Sequence, residues 1–262
     1  MRVLSRSKRQ AALVHAADAA ERALCLAAMI LRTEFEMVLS PDNPITPQQR
    51  ELVVTRLSGP KALYIPWLRS EGLWPRLSHL EASQLLQEFG SWPRQTCVAH
   101  FGDGDAAGVL VWALSLLDRI PAYDTATDEG AVLAALPLLQ PVRSFIDLVQ
   151  LRPEQEILDA REQAQAWLWR ARTAMLQRQD IALLPGGPPP NPRPVIAAYV
   201  RQFEAKGGFT AIGGDFPAFG KAYTALSDED CSLMYLIALN RLRGLNWLCG
   251  YAMDWDAVPL ES

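Results

Sequence analysis

Residues 13–38 read LVHAADAAERALCLAAMILRTEFEMV. Leu13, Ala17, Ala20, Leu24, Ala28, Leu31, Phe35 and Val38 recur at intervals of three and four, while Asp18, Arg22, Arg32 and Glu36 fall between them. A period of 3.6 gathers those apolar side chains into one stripe, which predicts an amphipathic helix with one buried face. Ser40-Pro41 is its expected end, because a proline drives the residue before it out of helical geometry.

The same grammar repeats down the chain. Thr46-Pro47-Gln48-Gln49 offers an N-cap, a first-turn proline and a Gln placed for a capping box; Gly59-Pro60 is the expected stop. Ser78-His79-Leu80-Glu81 is a second box, Gly102-Asp103-Gly104-Asp105 turns into an apolar helix with an Asp as its expected cap, and Ser227-Asp228-Glu229-Asp230 opens the last long helix. Helices are expected over about 8–39, 47–57, 79–89, 105–118, 128–139, 154–179, 195–206 and 228–249. A small hairpin around Phe209 to Tyr223 is the one strand signal. The fold class is all-α, about eight helices in a single domain spanning 1–262. Pro185 to Pro194 holds six prolines in ten residues, a stiff connection crossing that domain.

Composition narrows the function. With 262 residues, half of them hydrophobic, and eight Trp and eight Phe, the chain can bury a large core and is not disordered. A formal net charge of −4 argues against a nucleic-acid binder, which needs a basic excess. The cations are 21 Arg against 4 Lys, a bias that reads as GC-rich coding or as selection for bidentate pairing. Cys25, Cys97, Cys231 and Cys249 show no paired spacing and suit reduced thiols in a cytosolic core. The longest apolar runs fall short of the ~20 residues a bilayer requires, and Asp18, Glu21 and Arg22 break up what would be a signal-peptide core after Arg2, Arg6, Lys8 and Arg9. A cytoplasmic location without membrane contact is expected.

Several constellations invite chemistry. Gly213-Gly214-Asp215-Phe216 approaches a cyclase metal signature but lacks its second acid, so a glycine turn is the reading. Cys97, His100, Asp103 and Asp105 are metal-capable but without a second Cys/His cluster they read as a polar loop before a helix. The glycines of 102–108 lack the Lys-Ser/Thr of a phosphate loop, and three scattered His give no nucleophile–base pair. Arg143 and Asp147, four apart, with Arg152 and Arg241 in apolar company, form the strongest grouping: a buried, paired polar network or a small-anion pocket. Trp167 falls on the apolar stripe of its helix, whereas Trp169 neighbours Gln165 and Arg172, so Trp169 with Arg172 is a candidate partner surface unless the proline-rich segment covers it.

Arg22-Ala23-Leu24-Cys25-Leu26, then Val109 to Leu114, then Arg143 through Asp147 to Arg152, then Leu239-Asn240-Arg241, Gly244 to Leu248 and Trp255-Asp256 occur in an order and spacing that resembles the bacterial domain-of-unknown-function family numbered 4272. The resemblance spans about residues 5 to 258 and supports one domain. Gly104-Asp105-Ala106-Ala107 departs from the aromatic and acidic pair the family implies before the Trp112 helix. No activity, cofactor or metal follows from the resemblance. The expected function is a non-enzymatic binding protein acting through a protein partner, in concrete form an immunity protein neutralising a secreted bacterial toxin. The alternative is a hydrolase or small-anion-binding enzyme built on the Arg/Asp cluster.

Overall fold

The computed structural model describes residues 12–40, 43–120, 122–178 and 191–260, with backbone alone at 57–62. Four helices form the body. Helix α1 (Ala16–Leu39) packs on α5 (Asp103–Ala113), α5 on α10 (Asp228–Leu248), and α10 on α8 (Glu154–Arg178). Around them lie α2 (Pro47–Ser70), α3 (His79–Leu85), α4 (Arg94–His100), α6 (Glu129–Ala134), α7 (Arg143–Leu148) and α9 (Arg193–Ala205). The fold is an all-α single domain with one contiguous core. Its only paired strands among the described residues are β1 (Pro217–Ala218) and β2 (Lys221–Ala222), an antiparallel pair turning at Phe219-Gly220 inside the expected hairpin.

Helix starts follow local chemistry. Thr46 with Gln49, Ser78 with Glu81 and Ser227 with Asp230 each form a complete capping box. Helix ends do not. The expected stop at Gly59-Pro60 is overridden, and α2 continues to Ser70. An interior proline costs about 3 kcal/mol. Tyr64, Trp67 and Leu68, all buried on the far side of it, each return about 1.5–3 kcal/mol of apolar burial, so the helix continues. The cap of α5 is Gly102, not an acid, and Cys97 and His100 lie on the short helix α4, not in a loop.

Helix α1 corrects the amphipathic expectation. Ala20, Leu24 and Ala28 are buried as the stripe requires, but so are Arg22, Arg32 and Glu36 between them. Arg22 pairs with Glu81 of α3 (Nη2 to Oε1, 2.5 Å), and Arg32 pairs with Glu36 one turn on (2.7 Å). Glu36 in turn accepts from the backbone N–H groups of Gly90 (2.9 Å) and Trp92 (3.0 Å). The charges between the apolar residues face the chain's own loops, so α1 is enclosed on most sides. Buried charge is tolerated there because each group has a counter-charge and further hydrogen bonds.

Helix α5 is buried along its whole length. Its small residues let neighbours approach: a Cβ added to Gly244 of α10 would sit 2.7 Å from Val109 Cγ2 and 2.9 Å from the Ala106 carbonyl oxygen. Trp167 faces the core, as its stripe predicts, stacked on Tyr123 at 5.4 Å and edge-on to Phe216 at 5.0 Å. The Pro185–Pro194 connection falls mainly outside the described residues; of it only 191–194 are seen, entering α9.

Candidate functional site

The expected Arg/Asp grouping is taken apart by the fold. Arg143 and Asp147 do pair, Nε to Oδ2 at 3.0 Å, but on the open surface, with side chains 86% and 52% exposed. The expectation that they are buried fails because α7, one and a half turns long, buries none of its residues. Arg241, by contrast, is fully buried, and its partner is Asp105: Nε and Nη2 donate to Oδ1 at 3.1 and 3.0 Å. Two further N–H groups donate to the carbonyls of Ala122 (2.7 Å) and Thr125 (2.6 Å). Arg152 donates to the carbonyls of Trp112, Leu117 and Asp118, tying the end of α5 to the start of α8. These guanidiniums are committed to the chain itself.

A pair invisible to sequence spacing adds to this framework. Arg170 of α8 holds Asp215 bidentately, Nε to Oδ1 and Nη2 to Oδ2 at 2.7 Å each, with the Arg170 side chain fully buried. The Gly213-Gly214 stretch is the expected turn, and its acid is a structural anchor.

Trp169 is half-buried beneath Tyr199 of α9, ring centroids 5.2 Å apart, so α9 supplies the cover expected of the proline-rich segment. Arg172 donates to the Leu260 carbonyl at 2.8 Å. Both residues contribute to holding the C-terminal half together.

The concavities lie elsewhere. A cleft of about 420 Å³ opens beside α1 and the start of α5, lined by Thr33, Glu34, His100, Asp105, Thr127 and Glu129. Next to it is a groove of about 540 Å³ along α4, lined by Met37, Trp92, Arg94, Val98, Phe101 and Leu236. Met37 and Phe101 line both, so the two spaces adjoin. Met37, Val98 and Phe101 are 43%, 51% and 58% exposed, large apolar side chains left open to water.

In the cleft, Glu129 lies against Gly104: a Cβ there would be 2.5 Å from its Oε1. Burial, together with the charges of Glu34, Asp105 and Asp103, pushes the Glu129 carboxyl up to about 6. His100 is held at both nitrogens, Nδ1 2.7 Å from Asp103 Oδ2 and Nε2 2.8 Å from Gln84 Oε1. With Asp103 engaged by His100 and Asp105 by Arg241 and Thr127, three of the four residues considered as metal ligands are engaged by one another and by the chain. Among the described residues no group of three His, Cys, Asp or Glu is arranged to hold an ion.

Sequence reasoning missed this site. Val38 was expected on the buried stripe of α1, yet it is exposed beside Met37. Phe101, in a polar, glycine-rich stretch, carries no periodic signal at all.

These features define a helical protein whose buried charges brace its fold and whose open surface is an apolar groove with an acidic end. The chain belongs to the DUF4272 family, a domain of unknown function, which matches residues 3–187. The matched region takes in α1 to α8; α9, the hairpin and α10 follow it. No curated protein and no solved structure matches the chain. No helix among the described residues is long and apolar enough to cross a membrane.

Proposed function

We propose that this chain is a non-enzymatic, cytoplasmic binding protein that acts by docking a protein partner, in concrete form a bacterial immunity protein that covers a secreted toxin. The observation that carries this reading is the groove along α4. Large exposed apolar side chains beside a concavity are the composition of an interface core, where Phe and Met are enriched and charge is depleted. Of the guanidiniums a small-anion enzyme would need, Arg152 and Arg241 are turned inward to carbonyls and Arg143 stands apart from them on the open surface, which favours binding over catalysis.

The test is co-expression with the product of the neighbouring gene, scored by growth rescue and by an isolated complex of the two chains. Rescue that disappears in a Val98→Ser/Phe101→Ser variant is expected. Rescue, or complex formation, that survives that variant would place the interface elsewhere. A neighbouring product that is harmless alone would remove the immunity form of the proposal.

A further inference from the structure

The groove has a polarity that specifies what should lie in it. Helix α4 runs from Arg94 to His100, so at 1.5 Å per residue Arg94 and Phe101 stand about 10 Å apart, with Val98 between them. Beyond Phe101 the floor passes into the cleft of Glu34 and Glu129. Neither of those carboxylates has an ion-pair partner among the described residues, whereas Asp103 and Asp105 beside them are already bonded to His100 and Arg241. The apolar strip therefore ends on two uncompensated negative charges, Glu34 exposed and Glu129 half-buried, and beside the half-buried one a counter-charge gains more than it would in open water.

We infer that the groove takes a segment of a partner protein in which a large apolar side chain seats between Met37, Val98 and Phe101 and an arginine or lysine about one turn further on enters the cleft between Glu34 and Glu129. The inference rests on the docking function proposed above and adds the chemistry of the docked segment. The apolar anchor supplies the buried area. The cation supplies direction, because only one end of the groove opens onto the carboxylates of Glu34 and Glu129. Gly104, having no Cβ, lets Glu129 lie against the backbone of α5.

The experiment uses the full chain and a labelled synthetic peptide with leucines at helical spacing and one arginine a turn beyond them, alongside counterparts carrying citrulline or glutamate in place of the arginine. Binding is read by fluorescence anisotropy. The arginine peptide is expected to bind about tenfold tighter than the citrulline peptide, and the glutamate peptide weakest. Glu34→Gln/Glu129→Gln should bring the arginine peptide down to the citrulline value and leave the citrulline peptide unchanged. Val98→Ser/Phe101→Ser, at exposed positions outside the core, should weaken all three, with thermal melts confirming a folded chain.

Equal binding of arginine and citrulline peptides to the wild-type chain would overturn the inference while leaving the docking function to its own co-expression test. Absence of binding by all three would overturn it too. A doubled mass by light scattering that reverts in the Phe101→Ser chain would assign the groove to a second copy, again against the inference.

Discussion

Asp105 gathers more of the interior polar framework than its place in a glycine-rich turn suggests. One carboxylate accepts from Arg241 twice and from the N–H and hydroxyl of Thr127, joining α5, α10 and the loop before α6. Replacing one member of a buried pair leaves the other charged and unpaired, at a cost of about 3–5 kcal/mol. Asp105→Asn should therefore lower the unfolding free energy by several kcal/mol in a denaturant titration. Arg143→Ala, which breaks an exposed pair at the same 3.0 Å separation, should change it by less than about 1 kcal/mol. Similar losses in the two variants would contradict this assignment.

Glu129 titrates in the opposite sense to a carboxylate held by a cation. Its native carboxyl is raised from 4.5 to about 6, so the folded chain binds a proton more readily than the unfolded one. Its contribution to stability grows as pH falls from above 6 toward 4.5 and is lost as pH climbs back through 6. Glu129→Gln should melt above wild type at pH 7.5 and converge with it near pH 4. Identical melting temperatures at pH 7.5 would refute the assigned shift.

Gly244 shows how an element's position reverses a rule of composition. Gly→Ala inside a helix normally gains up to about 1 kcal/mol. In α10 the added methyl would meet the Ala106 backbone and Val109, neither of which can swing away, so Gly244→Ala should cost about 1–3 kcal/mol by calorimetry. A stabilised variant would mean that α5 and α10 are not in close contact.

The same contrast between local and distant causes decides what a reader of the sequence can see. Capping boxes are complete within four residues, so the starts of α2, α3 and α10 are legible. Helix α4 has no cap signal and only seven residues, and the continuation of α2 past Pro60 depends on what Tyr64 and Leu68 meet across the core. Arg143 and Asp147 drew attention through their spacing and proved superficial. Arg170 with Asp215 and Arg241 with Asp105 lie 45 and 136 residues apart, beyond any local pattern. The groove was harder still, since an exposed Phe101 is distinguishable from a buried one only after the chain has folded around it.

Taken across the molecule, the packing separates Cys97 from Cys25 and Cys249. Burial pushes Cys25 up to about 12 and Cys249 up to about 11, which suppresses the thiolate that attacks reagents. Cys97 is also raised, but it lines the groove along α4. Native-state labelling with a disulfide reagent should therefore modify Cys97 ahead of Cys25 and Cys249, and peptide in the groove should slow it. Cys25 and Cys249 should react only at the rate of unfolding. Early modification of Cys25 would show that the centre of α1 opens far more readily than its enclosure implies.

Among the described residues α10 is the last long helix in chain order. It completes the cover of α5 and delivers Arg241 to a carboxylate synthesised 136 residues earlier. A nascent chain still missing α10 carries α5 with an open apolar face and an uncompensated Asp105. Its core cannot close until α10 has been made, so a chain cut or stalled before that helix exposes the apolar face of α5 to self-association or to a holding chaperone.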